Sequence, residues 1–110
     1  MKKTDVIRQS DGNVFADLEL PEAEELNAKA QIAYRICRIL DERRLTQKQA
    51  AALLGIDQPK ISNMKRGRLD GFSIDRLFRF LTALDRNVEI VIRPKMDPGI
   101  PASIHVLAMA

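Results

Sequence analysis

Four polar side chains within six residues, Gln58, Lys60, Ser62 and Asn63, are of the types that read the edges of nucleic-acid bases. Gln and Asn carry a donor and an acceptor side by side and can bond adenine at two points. Lys can donate to guanine or to a phosphate, and Ser bonds either kind of edge. Ile61 and Met64 lie among them, three residues apart. On a helix that pair turns inward and the polar set turns outward. Around this stretch stand Arg43, Arg44, Gln47, Lys48, Lys65, Arg66 and Arg68, all able to donate to phosphate oxygens. Gln47 would also bring the free backbone N–H groups of a helix start, which favour an anion.

The charge is distributed to suit such a role. The chain has 110 residues and a net charge of +3. Residues 1–34 carry a net −3 and residues 96–110 a net −1, whereas residues 35–95 hold fourteen Lys and Arg against seven acids, a net +7. A basic middle segment is what phosphate binding needs. The composition, 45% hydrophobic and 30% charged, is that of an ordinary globular chain long enough for one core.

Other classes of function are poorly served. A single cysteine, Cys37, excludes an internal disulfide, and no Cys/His cluster has metal-ligand spacing, so neither metal nor cofactor is expected. Cys37 and the single His105 lie in distant segments and there is no glycine-rich phosphate loop, so an enzyme is not expected. No apolar run approaches the roughly 20 residues of a membrane span. The basic start, Met1-Lys2-Lys3, leads into no signal-peptide core. The expectation is a cytoplasmic protein without membrane contact.

The elements that must position the polar set are signalled locally. Residues 14–20 alternate, with Val14, Ala16, Leu18 and Leu20 on one side, and predict a short strand or extended arm ending at Pro21. The stretch before it, 1–12, is polar and reads as loose. Leu26, Ala30, Ala33, Cys37 and Leu40, joined by Ile32, Ile36 and Ile39, predict a first helix over 22–44. Thr46 and Gln49 form a capping-box pair, which starts a second helix over 47–54. Gly55 ends that helix, Asp57 caps a third over 58–65, and Pro59 falls in the third helix's tolerant first turn. Ser73 caps a fourth over 74–84, with Ile74, Leu77, Phe78, Leu81 and Leu84 inward. Residues 88–93 are β-branched and alternating, and Pro94 closes them as a strand. Three units are expected: an N-terminal arm over 1–21, a helical domain over 22–95, and a tail over 96–110.

Two short helices joined by a glycine turn form a helix-turn-helix pattern. Ala51 is small where the helices approach, Leu54 and Ile56 flank the turn, and Ile61 and Met64 face in. The run Leu45-Thr46-Gln47-Lys48-Gln49-Ala50-Ala51-Ala52-Leu53-Leu54-Gly55-Ile56-Asp57-Gln58-Pro59-Lys60-Ile61-Ser62-Asn63-Met64 closely resembles the helix-turn-helix of the phage Cro/cI-repressor-like (XRE) regulators. Residues 13–18, 58–62, 71–73 and 88–90 are similar to a subgroup of small bacterial XRE proteins, many of which resemble HigA-type antitoxins paired with a RelE/HigB-like toxin. The resemblance implies a lambda-repressor-like DNA-binding fold, a homodimer and, in the toxin-linked case, repression of its own operon. It matches Gln47 to the family's phosphate-contacting Gln, and Gln58, Ser62 and Asn63 to its base-facing positions. Pro59 stands where the family often has a polar base-reader, and a strand stands in place of a fifth helix.

The expected fold is therefore mostly α: a bundle of four to five helices around a helix-turn-helix, with one or two short strands. The expected function is sequence-specific binding of double-stranded DNA by a transcriptional regulator that represses itself. Base contacts fall to Gln58, Lys60, Ser62 and Asn63, and phosphate contacts to Gln47, Lys48, Arg43, Arg44, Lys65, Arg66 and Arg68. Two alternatives stand beside it: the antitoxin of a type II toxin–antitoxin pair, which binds a small basic toxin as well as operator DNA, and a protein-interaction module with no DNA role. Cys37 reads as a small core residue, and Arg35, Arg38, Arg76 and Arg79 as solvated helix surface. The strand over 88–93 needs a partner, for which 14–20 is the candidate, within one chain or across a two-fold dimer with half-sites about 34 Å apart.

Overall fold

The computed structural model describes residues 5–8 and 22–108. Its elements are β1 (Asp5–Arg8), α1 (Glu22–Glu42), α2 (Gln47–Leu54), α3 (Gln58–Lys65), α4 (Ile74–Ala83) and β2 (Glu89–Ile92). The three inner helix starts are set by side chains. Thr46 Oγ1 accepts from the Gln49 N–H at 3.1 Å while Gln49 Oε1 accepts from the Thr46 N–H at 2.9 Å, closing the capping box. Asp57 Oδ1 accepts from the Lys60 N–H at 2.9 Å, and Ser73 Oγ from the Arg76 N–H at 3.1 Å.

All four helices end in the same way. Each closes with a bond from an N–H just past the helix to the carbonyl five residues back: Leu45 to Leu40, Ile56 to Ala51, Arg68 to Asn63 and Arg86 to Leu81, at 2.8 to 3.1 Å. The residue before each donor is left-handed. At two ends it is glycine, Gly55 (φ +72°) and Gly67 (φ +78°). At the other two it is Arg44 (φ +57°) and Asp85 (φ +63°). This is why α1 stops at Glu42 and not at the expected residue 44: the turn is made there without a glycine to mark it.

The helices enclose one apolar core. α1 packs on α4 and α3, and α2 on α3 and α4. Ile36 and Leu40 of α1, Ile61 of α3, Leu77 of α4 and Leu84 just beyond it are the largest fully buried side chains. The buried stripe of α1 is centred on Ile32, Ile36 and Ile39, with Ala28 at its start. That centring corrects the expectation for Leu26, which is 57% exposed, and for Ala30, which is also exposed. Cys37 lies at the stripe's edge, partly buried against the core, and burial pushes its thiol pKa up. In α4 Phe80 is buried while Leu81 is only partly so.

β1 and β2 pair antiparallel in a two-stranded sheet, with Asp5 opposite Ile92 and Arg8 opposite Glu89. An intrachain partner of β2 is thus drawn from the stretch that reads as loose, while the expected partner, 14–20, lies outside the described residues. The tail returns over α1: the Val106 N–H donates to Gln31 Oε1 at 3.1 Å, and Ile104 and Val106 pack against the core. No helix among the described residues is long and apolar enough to cross a membrane.

Candidate nucleic-acid interface

α3 is anchored by Ile61 and Met64, 0% and 3% exposed. A helix turns about 100° per residue, so this anchor leaves Pro59, Ser62 and Asn63 centred on the opposite face. Gln58 turns toward one flank of that face and Lys60 toward the other. Gln58 and Pro59 are exposed, and Lys60, Ser62 and Asn63 are half-buried. The proline adds no donor and presents an apolar ring at the middle of the face. The backbone carbonyl of Asn63 is taken up by the N–H groups of Arg66 and Arg68, while its amide side chain has no bond within the described residues.

The expected phosphate-contacting residues form two groups. Arg43, Arg44, Gln47 and Lys48 precede or open α2, and Lys65, Arg66 and Arg68 close α3. Lys65 Nζ lies 3.5 Å from Asp41 Oδ1, which ties the end of α3 to the end of α1. Arg44, Gln47, Lys48, Arg66 and Arg68 are exposed. The capping box satisfies the Gln49 N–H, leaving the N–H groups of Gln47 and Lys48 without intrahelical carbonyls. Arg43 is engaged within the fold: its Nη2 donates to the Leu84 carbonyl at 2.7 Å and lies 3.6 Å from Asp85 Oδ2.

A further residue escapes the sequence reading. Arg76, expected as solvated surface, is half-buried, with its guanidinium 5.7 Å from the Phe72 ring centre and 5.8 Å from that of Phe80. The two rings meet edge to face at 6.0 Å, and Arg76 Nη1 donates to the Gly71 carbonyl at 3.4 Å. The spacing of four in Phe72, Arg76 and Phe80 is the signal that could have found it. Arg35 and Arg38 are exposed as expected, both lying over the Tyr34 ring. Arg38 also donates to the Tyr34 hydroxyl, which holds its pKa above the ordinary arginine value.

Residues 14–93 match the family model described as a helix-turn-helix domain. A solved structure assigned to the XRE family of transcriptional regulators is 47% identical, with a TM-score of 0.76, and the match covers 81% of this chain and 100% of that one. The chain belongs to the XRE-type helix-turn-helix family of DNA-binding regulators. No curated protein matches it. In this XRE-type protein α2 and α3 are the helix-turn-helix, with Gly55 at the turn and α3 in the place of the recognition helix.

Proposed function

We propose that this XRE-type protein is a sequence-specific double-stranded-DNA-binding transcriptional regulator that acts as a homodimer and represses its own promoter. The observation that carries the reading is the outward face of α3. Gln58, Ser62 and Asn63 are free of the core, and cations gather at both ends of the helix-turn-helix. α3 enters the major groove, where Gln58, Ser62 and Asn63 meet base edges and the Pro59 ring meets an apolar group such as a thymine methyl. Gln47, Lys48, Arg44, Lys65, Arg66 and Arg68 hold the phosphates.

What supports a dimer is the small sheet. A two-stranded sheet is marginal by itself, and β2 carries Val91 and Ile92 at 45% and 43% exposure. Continuing this sheet with that of a second copy would add strands to it and set two recognition helices about one DNA turn apart, ~34 Å. Self-repression follows from the family resemblance.

The test is titration of the protein against its own upstream DNA and a shuffled duplex of equal length, across a salt series. Salt-dependent binding that prefers the upstream DNA supports the reading. Equal binding to both at every salt contradicts sequence-specific autoregulation, and a monomer in sedimentation at micromolar concentration contradicts the dimer.

A further inference from the structure

A second basic site lies on the flank of α3 away from Lys65. An open groove of about 540 Å³ runs between the helix-turn-helix and the start of α4, lined by Ala51, Ala52, Gly55, Ile56, Asp57, Lys60 and Arg76. Three of these residues are Ala or Gly, which keep the wall low. The two cations come from different helices. Arg43, Lys65, Arg38 and Lys29 each sit within 4.0 Å of a carboxylate. Among the described residues, no carboxylate lies within 4.0 Å of the charged nitrogens of Lys60 or Arg76. The one carboxylate lining the groove belongs to Asp57, which caps α3 through the Lys60 N–H and leaves the groove two cations against one anion.

Arg76 is also ordered in advance. Two aromatic faces and the Gly71 carbonyl hold its guanidinium, so little side-chain entropy is lost when it binds an anion. An unpaired, fixed guanidinium and an ammonium sharing a groove beside a recognition helix match a phosphodiester of the DNA backbone. We propose that Lys60 and Arg76 together seat one backbone phosphate on this flank, so that Lys60 positions the duplex and does not read a base. The inference rests on the DNA-binding reading above.

The experiment uses the full chain with upstream and shuffled duplexes across a salt series, comparing wild type with Arg76→Met, Arg76→Lys and Lys60→Met. Methionine keeps apolar packing on the rings without the charge. Arg76→Met and Lys60→Met should each weaken binding to both duplexes by the same factor, about 5- to 10-fold, and lower the salt slope by about one. Arg76→Lys should recover the slope. Unchanged affinity and slope in Arg76→Met would overturn the inference while leaving the DNA-binding reading intact. So would a loss confined to the upstream duplex in Lys60→Met, which would mark Lys60 as a base reader. If wild type shows no salt-dependent binding to either duplex, both readings fail together. Thermal melting checks the fold of each variant, and if Arg76→Met unfolds, Lys60→Met decides the matter alone.

Discussion

The guanidinium of Arg43 donates to the carbonyl oxygen of Leu84 across 2.7 Å, tying the end of α1 to the end of α4. The link spans 41 residues and satisfies a carbonyl left over at a helix terminus. Its ion pair with Asp85 adds little, because the Asp85 side chain is 90% exposed. Hydrogen bonds from charged donors are worth about 1.5–3 kcal/mol when shielded. At 36% side-chain exposure the Arg43 bond falls to the low end. Arg43→Ala should therefore lower stability in urea by about 1.5 kcal/mol and leave the salt slope of DNA binding unchanged. A fall in that slope would return Arg43 to the phosphate contacts.

The two left-handed non-glycine positions give a second prediction, in the opposite direction. A left-handed backbone costs an L-residue about 1–2 kcal/mol, whereas glycine's extra freedom in the unfolded chain costs about 0.4–1 kcal/mol. The first effect is larger, so Arg44→Gly should raise stability by about 0.5–1 kcal/mol while weakening DNA binding. Asp85→Gly should stabilise similarly without touching DNA affinity. Denaturation midpoints beside DNA titrations separate the two effects, and destabilisation by both variants would show that the side chains outweigh the backbone strain.

How much was legible in the sequence follows from how local each signal is. α2 and α3 begin and end where Thr46, Gly55 and Asp57 place them, because a cap acts within one turn. The end of α1 was hidden because Arg44 makes a turn that glycine usually announces. The apolar row of Leu26, Ala30 and Cys37 points to a face of α1 rotated from the buried one, with Cys37 at the edge of the core and Leu26 and Ala30 exposed. The partner of β2 depends on contacts across some eighty residues of chain, and nothing in Asp5-Val6-Ile7-Arg8 competes with the clearer alternation of 14–20. The placement of Pro59, Ser62 and Asn63 opposite Ile61 and Met64 follows from helix phase. Arg76 required noticing that two rings flank it at intervals of four. The engagement of Arg43 required a tertiary contact with no sequence signature.

Seating of α3 on the core is the next quantity open to measurement. Ile61 is fully buried beneath the recognition helix. Ile61→Ala should cost about 2–5 kcal/mol, a large part of the roughly 5–15 kcal/mol that holds a domain together. Ile61→Val should cost about 0.5–1.5 kcal/mol. Urea unfolding of the two variants checks this order, and equal small losses would mean that α3 is held chiefly by its ends.

Cys37 supplies a prediction in pH. Burial is the largest influence on its thiol and raises the pKa, with Asp41 acting in the same direction and Lys65 against it. The folded state therefore holds the thiol proton more tightly than the unfolded state. Stability should be constant below the thiol's unfolded pKa and should fall as pH rises through and above it. A thiol reagent at pH 8 should label the native protein more slowly than the urea-unfolded chain, because less thiolate is present and access is reduced. Equal rates would place Cys37 outside the core edge.

The central claim is that the outward face of α3 reads bases while its surroundings hold phosphates, and Asn63 tests it most directly. Asn63→Ala should reduce discrimination between upstream and shuffled DNA by about 1–3 kcal/mol, concentrated at one base pair of the site, with the salt slope unchanged. Equal loss of affinity on both duplexes, or a lower salt slope, would show Asn63 to be a backbone contact and would contradict the account.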